Sequence, residues 1–131
     1  YIFADAIMNG RPIEVFNHGD MKRDFTFVDD IVTGVVAAHD NPPTTSDGAP
    51  HRVYNIGNHR SEPLMRLIEI LENALGRKAD VLMKPMQLGD VKESFADIDA
   101  IRNDLGFEPT TPIDVGVPKF VEWFKAYNGY D

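Results

Sequence analysis

The stretch from Pro63 to Gly76, PLMRLIEILENALG, narrows the possible folds more than any other part of this chain. Leu64, Leu67, Ile68, Leu71 and Leu75 recur at helical spacing, with Ser61 placed to cap the start and Gly76 to close the end. A helix with one apolar stripe has to bury that stripe against another element. The candidates around it are short runs rich in β-branched and aromatic residues: PIEVF at 12–16, DFTFV at 24–28, RVYNIG at 52–57 and ADVLMKP at 79–85. Further helices are expected in four places. One lies in YIFADAIMNGRP, where Phe3, Ala4, Ile7 and Met8 share a face before Asn9-Gly10 stops it. One follows Asp29 as its cap, with Ile31, Val32, Val35 and Val36 as the apolar face and Gly34 tolerated. One runs from an Asp97 cap through Leu105 to Gly106. The last follows Thr111-Pro112, with Asp114 in its first turn and Val117, Phe120, Val121 and Phe124 facing inward. The expected fold class is α+β, short strands alternating with helices. The stretch 41–50, NPPTTSDGAP, reads as loop throughout.

Composition sets the outer bounds. A chain of 131 residues is one domain by ordinary size, and 43% hydrophobic residues suffice for a packed core. A net charge of -8 argues against nucleic acid as a partner, because phosphate backbones are held chiefly by lysine and arginine. It argues equally against an anionic membrane surface, and no run approaches the ~18 apolar residues of a membrane span. The absence of cysteine excludes disulfides, zinc-thiolate sites and thiol nucleophiles, which fits the cytoplasm. The opening residues carry no initiator methionine and do not read as a signal peptide, so the chain is expected to be a fragment or processed piece of something longer.

Several chemistries are missing. No G-x-G-x-x-G or G-x-x-x-x-G-K turn is present, and His18, His39, His51 and His59 lie at no metal-ligand spacing. Three polar stretches at the ends of expected strands remain. Lys22-Arg23 follows the Asn17–Asp20 turn, where Gly19 is free to take positive φ. The pair is either a solvated hairpin corner or an anion site whose arginine fork suits phosphate. Asn55, inside YNIG, either caps local backbone or faces a ligand. Met86 to Asp90, MQLGD, is either an ordinary turn or a loop that sets a carboxylate.

Taken in order, "GRPIEVFNHGDMKRDFTFVDDIVTGV", "YNIG", "MQLGDVKESFADI" and "LGFEPTTPIDVGVPKFVEWF" resemble the C-terminal, substrate-binding part of the extended short-chain dehydrogenases/reductases that act on nucleotide sugars, most of all the UDP-glucuronate 4-epimerases. The resemblance runs from Tyr1 to about Trp123 or Phe124. It implies that Arg23 contacts the diphosphate of a UDP-sugar and that Val15 and Phe16 border the nucleobase. Asn55, Gln87 and Asp90 would lie on the nucleotide side of the same pocket, with Asp90 toward a ribose hydroxyl. Many relatives carry an arginine where this chain has Gln87-Leu88. Asp29 and Asp30 are expected to cap the next helix.

The family's chemistry needs NAD in an N-terminal Rossmann domain and a Tyr-x-x-x-Lys pair. No tyrosine here has a lysine at that offset. Residues 1–131 are therefore expected to be the substrate-binding domain alone, inactive by themselves, after a cofactor domain of roughly 150–200 residues. The whole protein is expected to be a homodimer. A UDP-glucuronate decarboxylase, a nucleotide-sugar 4,6-dehydratase, a non-catalytic nucleotide-binding module, or an interaction domain using the acidic surface are the alternatives. Without a cofactor domain, the first helix and the 12–28 strand pair are expected to expose apolar surface and to promote self-association.

Overall fold

The computed structural model describes residues 1–44 and 48–130, so residues 45–47 of the expected loop lie outside the described residues. Five helices and four short strands follow in the order α1 (Ile2–Met8), β1 (Ile13–Val15), β2 (Lys22–Asp24), α2 (Val28–Asp40), β3 (Ser61–Pro63), α3 (Leu64–Leu75), β4 (Val81–Met83), α4 (Asp99–Leu105) and α5 (Ile113–Asn128). A 3-10 turn, Phe16–Gly19, separates β1 from β2. The α+β class is as expected.

The apolar stripe of α3 organises the main core. Ile68, Leu71 and Leu75 pack with Ala4, Ile7 and Met8 of α1, Ile13 and Val15 of β1, and Val121 and Phe124 of α5. Gly76 ends α3 in the left-handed conformation (φ 72°), where a side chain would be strained. A second, smaller core forms around Ile98, Ile101 and Phe107, with Tyr54 and Ile56 packed on it.

Strand pairing departs from the simplest reading. β1 and β2 do not form a hairpin: β1 runs parallel to β4, Ile13 opposite Val81, and β2 runs antiparallel to β3, Arg23 opposite Glu62. The turn between them accounts for this. Asn17, His18 and Gly19 all have positive φ (49°, 50° and 83°), and His18 N–H donates to the Lys84 carbonyl, so the chain is handed to β4 instead of folding back. A Cβ on Gly19 would lie 2.7 Å from the Met65 sulfur, which reserves that corner for glycine.

Other expectations need correction. The second strand is Lys22–Asp24 rather than 24–28, because Phe25 and Phe27 turn into an apolar cleft. RVYNIG forms no strand: Tyr54 and Ile56 pack on the second core. Ser61 is not a helix cap but a β3 residue whose hydroxyl donates to Glu93. Asp97 accepts from the Asp99 amide at 3.0 Å one residue ahead of the Ile98 cap position, and Thr111 makes no capping bond to α5.

Helix α2 differs most. Asp29 lies inside the helix, not at its cap, and Val32, Val35 and Val36 are each about half exposed. The side of α2 that packs inward carries Asp30 and Gly34, and a Cβ on Gly34 would sit 3.1–3.3 Å from Ile56 and Phe107. Asp30 is structural, though not as a cap of its own helix. Its carboxylate accepts from the Thr110 amide (3.1 Å) and hydroxyl (3.0 Å) and from the Thr111 amide (3.0 Å), pinning the entry to α5. Burial pushes the Asp30 carboxyl up, but these hydrogen bonds outweigh it and leave its pKa below the ordinary value.

The exposed apolar surface lies in part where expected, at Tyr1 and Ile2 and at residues 25–28, and in part elsewhere. Most of α1 is buried, as are Ile13 and Val15. Open apolar ground includes the valine face of α2 and a cleft of about 960 Å³ between Tyr1 and Phe3 at the start of the chain, Phe25, Phe27, Leu67, Phe120 and Trp123. Among the described residues, no helix is long and apolar enough to cross a membrane.

Candidate functional site

β2 is the element that brings two of the predicted polar stretches, Lys22-Arg23 and MQLGD, together. One edge pairs with β3, and the other is taken by the segment after the MQLGD loop. Lys22 N–H donates to the Lys92 carbonyl (2.9 Å), and Ser94 N–H donates to the Lys22 carbonyl (3.3 Å). This parallel pairing hangs residues 87–90 beside Arg23. The loop closes on itself where Asp90 N–H donates to the Gln87 carbonyl (3.2 Å), with Gly89 at φ 84° making the turn.

Arg23 and Asp90 are thereby joined. Arg23 Nη2 donates to Asp90 Oδ1 at 2.7 Å, and the same oxygen accepts from Val91 N–H at 2.8 Å. Arg23 Nη1 donates to the carbonyls of Lys22 (2.8 Å) and Lys92 (3.3 Å), which fixes the guanidinium plane. Both side chains keep a solvent face, 26% exposed for Arg23 and 33% for Asp90. Among the described residues, the three guanidinium bonds leave two of its five N–H donors, and the Oδ2 atom of Asp90, without a hydrogen-bond partner.

The neighbouring cations are paired: Lys22 with Glu93 (3.7 Å), Lys92 with Asp20 (2.6 Å) and Lys84 with Glu14 (3.4 Å). Hydrogen bonding from Ser61, assisted by Lys22, holds the Glu93 carboxyl below its ordinary range. Lys22-Arg23, a basic pair in an acidic chain, is thus part of a neutralised strip and not a free positive patch.

The other predicted residues are placed differently. Gln87 is exposed at the start of the turn. Asn55 is exposed and outside any strand, its Nδ2 donating to the Asp97 carbonyl at 3.2 Å. Phe16 is half-buried at the first position of the 3-10 turn. Val15 is fully buried in the main core, so its side chain is spent on packing. Among the described residues, no hydrogen bond joins Asn55 or Phe16 to the Arg23–Asp90 pair.

Sequence reasoning passed over Asp24. Its carboxylate accepts from the amides of Asn58 (2.8 Å), His59 (3.0 Å) and Ala96 (3.0 Å) and from the Thr26 hydroxyl (3.3 Å). The signal available was an acid opening the otherwise apolar-alternating run DFTFV, which needs several donors when it is drawn in from solvent.

None of these residues fits a dinucleotide. Among the described residues no strand leads through a glycine-rich turn into a helix: β1 enters a turn bearing Asn17 and His18, β2 enters Phe25-Thr26-Phe27, and β4 enters the extended stretch before Gln87. The large cleft is lined chiefly by apolar side chains and does not include Arg23 or Asp90.

Residues 2–57 match the NAD dependent epimerase/dehydratase family. The chain is 41% identical to Protein CapI of Staphylococcus aureus, over 95% of this chain and 41% of that protein. It is 42% identical to a probable UDP-glucuronate 4-epimerase of Rhizobium meliloti, over 93% of this chain and 40% of that protein. Its backbone superposes on the crystal structure of UDP-glucuronic acid 4-epimerase from Bacillus cereus in complex with NAD, with a TM-score of 0.78 and 26% identity, covering 98% of this chain and 38% of that one. The chain therefore spans about two fifths of the length of the curated relatives it matches. Residues 2–57 thus carry the sequence pattern of the NAD dependent epimerase/dehydratase family, and by sequence and backbone alike the chain is similar to UDP-glucuronate 4-epimerases.

Proposed function

We propose that this chain is the nucleotide-sugar-binding part of a longer enzyme that interconverts UDP-glucuronate and UDP-galacturonate. The observation that carries the reading is the Arg23–Asp90 pair, two residues 67 positions apart brought to 2.7 Å, both partly exposed and with hydrogen-bonding capacity left over. That arrangement suits the diphosphate and ribose of a nucleotide. Arg23 Nε–H serves a phosphate oxygen, and Asp90 Oδ2 accepts from a ribose hydroxyl. Phe16 and Asn55 supply the flanks, and Gln87 positions the turn through its carbonyl. Val15 contributes only by fixing the strand. NAD would supply the oxidation and reduction chemistry from a separate Rossmann domain, and the residues present here would bind and orient the substrate. The working enzyme is proposed to be a cytoplasmic homodimer.

The full-length protein, incubated with UDP-glucuronate, tests the assignment. UDP-galacturonate is the expected product. UDP-xylose with carbon dioxide would reassign it as a decarboxylase, and no turnover with UDP still bound would leave a binding module. Arg23→Ala is expected to weaken UDP binding about tenfold, the scale of a charge-assisted hydrogen bond. Unchanged UDP affinity in that variant would remove Arg23 from the site.

A further inference from the structure

Asp24 gathers more of the surrounding chain than any other side chain near the candidate site. Its carboxylate is a single point at which β2, the segment after Asn55 and the segment after Asp90 are joined. Oδ1 accepts from Asn58 N–H (2.8 Å), and Oδ2 accepts from both His59 N–H and Ala96 N–H (3.0 Å each). The donors stand 34, 35 and 72 positions away in the chain.

The packing around this point leaves little slack. A Cβ on Gly57 would lie 2.4 Å from the Ala96 Cβ and 2.9 Å from Asp24 Oδ2, so the two segments approach as closely as they do only because residue 57 is glycine. His59 is held at φ 55°, a conformation that non-glycine residues adopt at a cost. Its amide bond to Asp24, and the donation from its Nδ1 to the Ala96 carbonyl (2.9 Å), over-determine that strained geometry.

We propose that Asp24 is a positioning residue for nucleotide binding: by tying the 57–59 and 94–97 segments to β2, it sets where Asn55 and the Asp90 loop stand relative to Arg23. The inference rests on the nucleotide-sugar reading above. Successive side chains on a strand point to opposite faces, so Arg23 projects toward the candidate site while Asp24 projects toward the junction behind it. Aspartate is required because every partner is a donor. An asparagine would present its own N–H₂ group to at least one main-chain N–H and leave both unsatisfied.

The test uses the full-length protein with Asp24→Asn and, as a steric disturbance of the same junction, Gly57→Ala. UDP affinity is measured by calorimetry, and KM and kcat with UDP-glucuronate. A positioning role predicts that KM and the UDP dissociation constant rise together by about tenfold while kcat per folded molecule is kept, the signature of lost uniform binding. It also predicts that Asp24→Asn adds little to the loss already caused by Arg23→Ala, because both act through one site. A fall in kcat matching the loss of folded protein, with KM and UDP affinity unchanged, would show a purely structural residue and overturn the proposal. Losses that multiply in the double variant would overturn it as well. A wild-type protein that binds neither UDP nor UDP-glucuronate would refute the functional reading and this role with it. A wild type that binds both, beside variants that bind equally well, would refute this role alone.

Discussion

Replacing Asp30 with asparagine changes only one atom of a buried carboxylate, yet it strikes a joint between α2 and the entry to α5. Three donors converge on this group: Thr110 N–H at 3.1 Å, the Thr110 hydroxyl at 3.0 Å and Thr111 N–H at 3.0 Å. Hydrogen bonds to a charged acceptor contribute about 1.5–3 kcal/mol each. Thr110 is exposed and Thr111 half-buried, so water replaces part of what is lost. A net of about 1 kcal/mol per bond gives roughly 3 kcal/mol for Asp30→Ala. Asparagine keeps one accepting oxygen but turns its N–H₂ toward a donor, so about 2 kcal/mol is expected for Asp30→Asn. Against a total of about 5–15 kcal/mol for a domain, either loss is large.

The sign of the pH dependence follows from the lowered pKa. The folded-state carboxyl titrates below its ordinary 3.8, so its contribution is complete above that value and is lost as pH falls through the folded-state pKa. Urea unfolding of wild type and Asp30→Asn at a series of pH values measures this directly. The gap between them should be widest near neutrality and close in acid below about pH 3.8. An asparagine variant as stable as wild type near neutrality, or a gap that persists undiminished in strong acid, would refute the reasoning.

Two further substitutions probe the cores. Gly34→Ala places a methyl 3.1–3.3 Å from Ile56 and Phe107, and is expected to destabilise the second core by about 1–3 kcal/mol despite the higher helix propensity of alanine. Denaturant midpoints compare it with wild type, and a more stable variant would show that the neighbours yield freely. Phe124→Ala removes a fully buried ring from the centre of the main core, between Tyr1, Phe120 and Tyr130, and is expected to cost about 3–5 kcal/mol by the same measurement. A loss below about 1 kcal/mol would mean that the core closes over the space.

Of the candidate site, the residue types were legible and the geometry was not. By residue type alone Lys22-Arg23 and the Gly-Asp loop were each equally an ordinary corner or turn; Arg23 and Asp90 were singled out through the resemblance of their stretches to the nucleotide-sugar family. Their pairing was not legible, because it depends on the 92–94 segment running parallel along β2, and hydrogen bonding between main chains carries no residue-type signature. Asn55 was read as buried within a strand; it is exposed in a segment whose apolar residues serve the second core instead. Asp24 was missed because its value lies wholly in amides contributed from 34 to 72 positions away.

The sequence by itself determined the elements whose information is local. Helix α3, with its stripe and its closing Gly76, and the stops at Gly10 and Gly106 were readable because helical periodicity and left-handed termini involve residues within a turn or two of each other. Only the tertiary structure decided which strands pair. A three-residue strand contains one or two inward side chains, too few to encode a partner, so β1 is assigned to β4 by the left-handed turn after it and by the shared core beneath α3. The same holds for the valines of α2. Their spacing forecast an inward face, but the close approach of Ile56 and Phe107 to Gly34 turned a different side of the helix inward and left those valines in the open. Burial is settled by what arrives from elsewhere in the chain, and hydrophobic periodicity records only that a face is available.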